Sequence, residues 1–209
     1  MTRGGGSARG ARFLASLVAT ALALVVLAAG CTGGDAGAET DATIQGGADD
    51  LPGALPEDIS FRKSPSAAVA APDFSAELLD GTSVTASDLW DDRPLILVFT
   101  ASGCNECERV HREVAEVVDE HDGAVSMLAV VRADDIQGAR ELAEDQQLGY
   151  PIAVGGEGAW LSYAAEKAPL VVLIAPGGKV LRGWPGDVDA RVLDAQLVKL
   201  YKESPAQDE

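Results

Sequence analysis

Cysteine is scarce in this chain, with three among 209 residues, at Cys31, Cys104 and Cys107. A structural disulfide between the last two would close too short a loop to constrain the unfolded chain much. Histidine is scarcer still, at His111 and His121 only. Cys104, Cys107 and His111 follow C-x-x-C-x-x-x-H, half of a zinc pattern, but a structural zinc ion wants four ligands. His121 lies further along the same predicted helix, about 15 Å away, so no metal site follows. On helical spacing both histidines read as solvent-facing. Positive charge is also short, with 16 Lys and Arg against 33 Asp and Glu and a formal charge of −17. Such a chain is a poor ligand for nucleic acid and is repelled by anionic headgroups. Long apolar runs are few too. The best, Phe13 to Ala29, reaches about 26 Å as a helix, short of a hydrocarbon core of roughly 30 Å.

That run nevertheless has a purpose. Arg3, Arg9 and Arg12 precede it and Gly30-Cys31 follow it. A basic start, an apolar middle and small residues before a cut describe an export signal over residues 1–30. The string Leu27-Ala28-Ala29-Gly30-Cys31 resembles a bacterial lipobox, with the leucine one place further from the cysteine than usual. Lipidation at Cys31 would hold the protein on the outer face of the cytoplasmic membrane, and an uncleaved signal anchor would place it there as well. Removing the three arginines takes the formal charge from −17 to −20. Repelled by the headgroups, the mature chain depends on its tether. With Cys31 lipidated, the remaining two cysteines form one pair facing an oxidising compartment. Residues 31–66, rich in Gly, Ala, Asp, Thr and Pro, read as a flexible acidic linker, with Ile59 and Phe61 the candidates for contact with the domain.

The folded domain is expected over residues 67–209, long enough to bury close to 70% of its unfolded surface. Phe74 to Leu79, Asp80-Gly81 and Thr82 to Thr85 predict a hairpin, since Asp-Gly supplies the positive φ of a tight turn. Ser87 to Trp90 reads as a helical turn. Leu95 to Phe99 is an apolar strand that leads through Thr100-Ala101-Ser102-Gly103 into Cys104-Asn105-Glu106-Cys107 and a helix. Val110, Val114, Val117 and Val118 form that helix's apolar stripe, and Gly123 is its stop. Ala124 to Val131, continuously apolar, reads as a strand buried on both faces, parallel to the first. A second helix follows, capped by Asp134 or Asp135 and carrying Ile136, Leu142 and Leu148. Next come a short strand at Pro151 to Val154 and a helical turn at Trp160 to Tyr163. A hairpin, Leu170 to Ile174 with Lys179 to Arg182, and a helix from Asp187 to Tyr201 close the chain. The strand–loop–helix arrangement puts Cys104 near free backbone N–H groups, which biases its thiol toward the reactive thiolate. Cys107, one turn on, is placed to resolve what Cys104 attacks.

This α/β layout resembles the thioredoxin fold, a central mixed sheet flanked by helices with an N-terminal hairpin extension. Ala71-Pro72-Asp73-Phe74, the Asp80-Gly81 turn, Ser87-Asp88-Leu89, the C-x-x-C, Pro169 and the run Ile174 to Gly178 are similar to the TlpA- and ResA-like membrane-tethered thiol–disulfide oxidoreductases. The resemblance implies catalysis by Cys104 and Cys107, with no cofactor. It also implies a cis bond before Pro169 and substrate pairing along the backbone of Ala168 and Pro169. Exported proteins with disulfides would be the substrates and a membrane component the electron donor. The sequence departs from the family's pattern near the cysteines. Gly103 stands where Trp is usual, and Val98 and Val110 stand where relatives carry a proton-accepting carboxylate. Glu106 and Glu108 flank Cys107 and disfavour a thiolate beside them. These features predict a reductant rather than a strong oxidant. Two alternatives remain: a peroxiredoxin-like thiol peroxidase, although Leu97 and Ala101 fill the places of its Pro and Thr/Ser, and a metal-binding or metallochaperone lipoprotein.

Overall fold

A computed structural model describes residues 44–146, 149–155 and 157–202. The export signal and Cys31 lie outside the described residues, as does Leu148. The first hairpin is β1 (Ser75–Leu78) and β2 (Ser83–Thr85), closed by Gly81 at φ 87°. Then come α1 (Ala86–Trp90), β3 (Leu95–Phe99), α2 (Cys107–Asp119) and β4 (Ser126–Val131). A 3-10 turn, Ala133–Asp135, opens α3 (Ile136–Gln146), which is followed by β5 (Ile152–Val154) and α4 (Glu157–Ser162). The final elements are β6 (Leu170–Ala175), β7 (Lys179–Pro185) and α5 (Ala190–Val198). Asp189 caps α5 by accepting from the N–H groups of Arg191 and Val192, satisfying two of the donors a helix start leaves open.

The seven strands form one mixed sheet in the order β2-β1-β5-β4-β3-β6-β7. β3 pairs parallel with β4, and β4 parallel with β5. β6 runs antiparallel to β3, placing Phe99 opposite Leu170. Every residue of β3 is fully buried, and side chains alternate along it. Ile96 and Val98 enter one core layer with Val110 and Val114 of α2, Ala139 and Ala143 of α3, and Leu193 and Leu197 of α5. Leu95, Leu97 and Phe99 enter the other with Trp90 of α1 and Trp160 of α4. At about 1.5–3 kcal/mol for each large side chain buried, β3 alone anchors both layers, and the chain leaves its carboxyl end directly toward the cysteines.

Three expectations about which side chains turn inward are corrected. His111 is not solvent-facing; it is completely buried. His121 is largely covered as well, bonded through Nδ1 to the Tyr201 hydroxyl at 2.7 Å and through Nε2 to Asp194 at 3.1 Å, which ties the end of α2 to α5. Ile136, expected in the apolar face of α3, is exposed, as is Val192 of α5, because the core layers close over Ala139 and Leu193 instead.

Much of the stretch read as flexible linker is bonded to the domain. The Gly46 carbonyl accepts from Ile152 N–H at 2.9 Å, and the Asp80 carboxylate accepts from Ala48 N–H at 2.8 Å. Further on, Arg62 N–H donates to the Leu200 carbonyl and Lys202 N–H to the Ser60 carbonyl, bracketing a Phe61–Tyr201 ring contact with centroids 4.9 Å apart. These are mostly backbone pairings, which composition does not reveal.

Candidate active site

The loop between β3 and α2 is held from two directions. Thr100 N–H continues the ladder to the Val130 carbonyl at 3.1 Å, and Ser102 N–H donates to the Asp135 carboxylate at 2.5 Å. Gly138 of α3 lets that loop lie close: a Cβ there would stand 2.3 Å from the Cβ of Ser102. Gly103 follows at φ 69°, with open space around it. The glycine is therefore required by a left-handed backbone rather than by crowding, which explains why this chain lacks a large residue before Cys104.

Cys104 and Cys107 are joined as a disulfide, Cα to Cα 5.3 Å apart. Helix α2 starts at Cys107, whose N–H donates to the Cys104 carbonyl at 3.2 Å. Cys104 is half-buried at the mouth of the turn while Cys107 is 2% exposed. An open cleft of about 370 Å³ lies before the pair, with Ser102, Glu108, Glu141 and Leu142 in its walls. Its charged groups are carboxylates. The nearest cation on α2, Arg109, is engaged by Asp187 at 2.8 Å and by Glu113 at 3.0 Å. Its guanidinium is thereby held above its ordinary range, first by the Asp187 bond and then by Glu113. Little positive charge remains to support a thiolate here.

The Ala168–Pro169 bond is cis. Since Leu170 faces Phe99, Pro169 sits at the same end of the sheet from which the chain departs for Cys104. The Pro169 carbonyl is occupied by Gly186 N–H at 2.8 Å, which leaves the half-exposed Ala168 as the backbone on the solvent side. Beneath this end, Phe99, Trp160 and Tyr163 pack as an aromatic cluster, and the Tyr163 hydroxyl donates to the Pro72 carbonyl at 2.8 Å. Burial holds the Tyr163 hydroxyl well above the usual phenol range, so it stays a donor.

Val98 and Val110 are fully buried and carry no proton acceptor. What sequence reasoning missed lies one turn further along α2. His111 Nδ1 is hydrogen-bonded to the Tyr150 hydroxyl, with the two rings parallel and their centroids 5.5 Å apart. His111 Nε2 is buried without a partner. The signal was present in the spacing, since position 111 is four residues after Cys107 and three before Val114, on their side of the helix.

The sequence matches the redoxin family over residues 66–190. No curated protein matches the chain. Among solved structures, the pneumococcal exposed lipoprotein thioredoxin of Streptococcus pneumoniae is similar at 21% identity and TM-score 0.55, covering 62% of this chain and 100% of that one. A secreted disulfide oxidoreductase of Mycobacterium tuberculosis is similar at 17% identity and TM-score 0.53, covering 61% and 96%. A thiol:disulfide interchange protein of Chlorobium tepidum is similar at 15% identity and TM-score 0.57, covering 66% and 99%. At these identities the likeness establishes the fold.

Proposed function

Because the chain belongs to the redoxin family, as a thiol–disulfide oxidoreductase of thioredoxin fold, we propose that it reduces disulfides of exported proteins. The observation that carries this reading is the pairing of a half-exposed Cys104 with a buried Cys107 at the end of β3, beside an open cleft. In the dithiol form the Cys104 thiolate attacks one sulfur of a substrate disulfide, and the other leaves as a thiolate that takes up a proton. Cys107 then gives up its proton and attacks Cys104 Sγ, releasing the second substrate thiol. Two electrons pass to the substrate and the protein is left as the disulfide. The substrate chain lies along Ala168 beside the cis Pro169, held by backbone pairing with little side-chain readout. A membrane electron donor returns the protein to the dithiol.

The reductant direction follows from the electrostatics. A site that supports its thiolate poorly favours the disulfide and therefore gives its electrons away. Here Glu106, Glu108 and Glu141 are exposed around the pair, and Arg109 is already engaged. Equilibration with glutathione buffers should give a potential nearer about −270 mV than about −120 mV, and a value above about −180 mV would make the protein an oxidant or isomerase. A thiol peroxidase is less well supported, since Leu97 and Ala101 provide neither the proline nor the hydroxyl that activates a peroxidatic cysteine.

Export and tethering rest on residues 1–31, with the basic start, the apolar run and the lipobox-like string ending at Cys31. The pneumococcal structural neighbour is itself an exposed lipoprotein. The mature chain would then lie outside the cytoplasm on a lipid at Cys31. Cys31→Ala should release or misprocess the protein, whereas membrane retention at unchanged mass would identify a signal anchor instead.

A further inference from the structure

The exchange cycle needs a home for the Cys107 proton. Cys107 is 2% exposed, so bulk water reaches its sulfur poorly, and an unassisted buried thiol resists ionisation. Neither Val98 nor Val110 offers a base. We propose that His111, positioned by Tyr150, is the proton acceptor for Cys107. The inference rests on the thiol–disulfide reading above and adds the residues that would drive its second step.

Three observations converge on His111. It lies four residues after Cys107 on α2, where Cβ atoms on one helix face stand about 5–6 Å apart. Side chains in a helix lean toward its N-terminus, so the imidazole leans over the turn that carries Cys107. It is completely buried, with Nδ1 engaged by Tyr150 and Nε2 the nitrogen left over. A buried polar atom without a partner is costly, a cost that a residue serving only to pack would avoid by being apolar. The vacant nitrogen is the one that can meet a thiol when the disulfide opens.

The Tyr150 hydroxyl decides which nitrogen is free. As it can donate or accept, it can take the Nδ1–H bond and leave the Nε2 lone pair open as a base. Burial pushes the His111 imidazole down to about 4, so it is neutral while the disulfide is closed. Burial also holds the Tyr150 hydroxyl well above the ordinary phenol range, so it keeps its proton. Among the described residues, Tyr150 is the titratable group bonded to His111 from outside α2. Glu106 and Glu108, which flank Cys107, are exposed, Glu108 and Glu141 of α3 line the open cleft, and Arg112, Glu116, Arg140 and Glu144 are exposed.

Once the mixed disulfide has formed, the Cys107 S–H bond breaks and its proton passes to Nε2. The sulfur electron pair attacks Cys104 Sγ, and the substrate sulfur leaves with the electrons of the bond that breaks. The imidazolium, bonded through Nδ1–H to Tyr150, passes its proton to the departing thiolate or to water. When the donor later reduces the disulfide, Cys107 leaves as a thiolate and regains its proton from the donor's thiol or from water, relayed through the same nitrogen.

Rapid acid quenching of the full chain mixed with a disulfide-containing peptide separates the two steps. Mixed-disulfide formation reports Cys104 attack, and its decay reports Cys107. In His111→Phe, formation should stay within about twofold of the unaltered rate. Decay should slow at least tenfold, less than the 100- to 10,000-fold of a base matched to neutral pH because burial makes this imidazole a weaker base, and should recover as pH approaches the ordinary thiol value of about 8.5. Tyr150→Phe should slow decay less, because Nε2 is retained. Unchanged decay in a folded His111→Phe protein overturns the proposal. Should that variant fail to fold, imidazole 15N shifts of the unaltered protein decide. An unprotonated Nε2 in the disulfide form that gains a hydrogen-bonding partner on reduction supports the proposal, and an Nε2–H in both states overturns it. If the unaltered protein forms no mixed disulfide, the oxidoreductase reading itself falls.

Discussion

Acidifying the oxidised protein from pH 7 to pH 4 should reveal His111 as a stability term. In the unfolded chain this imidazole titrates near 6.5, and in the folded protein burial pushes it down to about 4. Between those values the unfolded state binds a proton that the folded state refuses, so stability falls as the pH falls through that window and levels off below it. Above 6.5 both states are neutral and nothing is lost. At 1.36 kcal/mol per pH unit the window amounts to about 3 kcal/mol, or about 10 °C in the melting midpoint of a domain this size. The carboxylates held low act elsewhere. Asp80, stabilised first by Ala48 N–H and then by Thr82, and Asp189, stabilised first by Val192 N–H, begin from 3.8 and lose their contributions below the window. Urea unfolding at several pH values gives the midpoints at constant slope. The control is His111→Phe with Tyr150→Phe, which removes both partners and leaves no unsatisfied hydroxyl, so it should fold with little penalty. Relief of acidic self-repulsion is common to both proteins, and the difference between them isolates the imidazole. If the double variant weakens as much as the parent between pH 6.5 and 4, the buried histidine is not the source and the reasoning fails.

Limiting alkylation of the reduced protein should label Cys104 first, since Cys104 is half-buried and Cys107 is 2% exposed, and preferential labelling of Cys107 on peptide mapping would reverse their roles. Gly138→Ala should destabilise by about 1–3 kcal/mol through overpacking, even though helix propensity alone favours alanine by about 1 kcal/mol. The reason is that the new Cβ would stand 2.3 Å from Ser102 Cβ and 2.7 Å from an Asp135 oxygen; a gain in the urea midpoint would show that the loop yields freely. Gly103→Ala should lose about 1–2 kcal/mol on the backbone alone, because φ is 69° in open space, and an unchanged midpoint would show that the turn relaxes.

The elements that position the cysteines were legible in the residues because their signals are local. Leu95 to Phe99 and Ser126 to Val131 are apolar runs of strand length, Asp80-Gly81 names its own turn, and the valine stripe of α2 repeats at helical spacing. Each depends on neighbours within a few positions, so composition and period suffice. Position 111 shows where that ends. Its spacing from Cys107 and Val114 puts it on the buried side of the helix, but no local spacing reveals that Tyr150, 39 residues away, closes over it. That closure depends on β5 lying next to β4, a matter of strand order that no local pattern carries. The backbone pairing of Ser60 and Arg62 with the chain's last described residues has the same character, joining segments that share no side-chain code. Sequence alone determined the pair of cysteines, Cys104 and Cys107, and the strand and helix that carry them. Tertiary structure decided which residues keep company with them, because burial and hydrogen-bond partners come from distant segments brought together by the sheet.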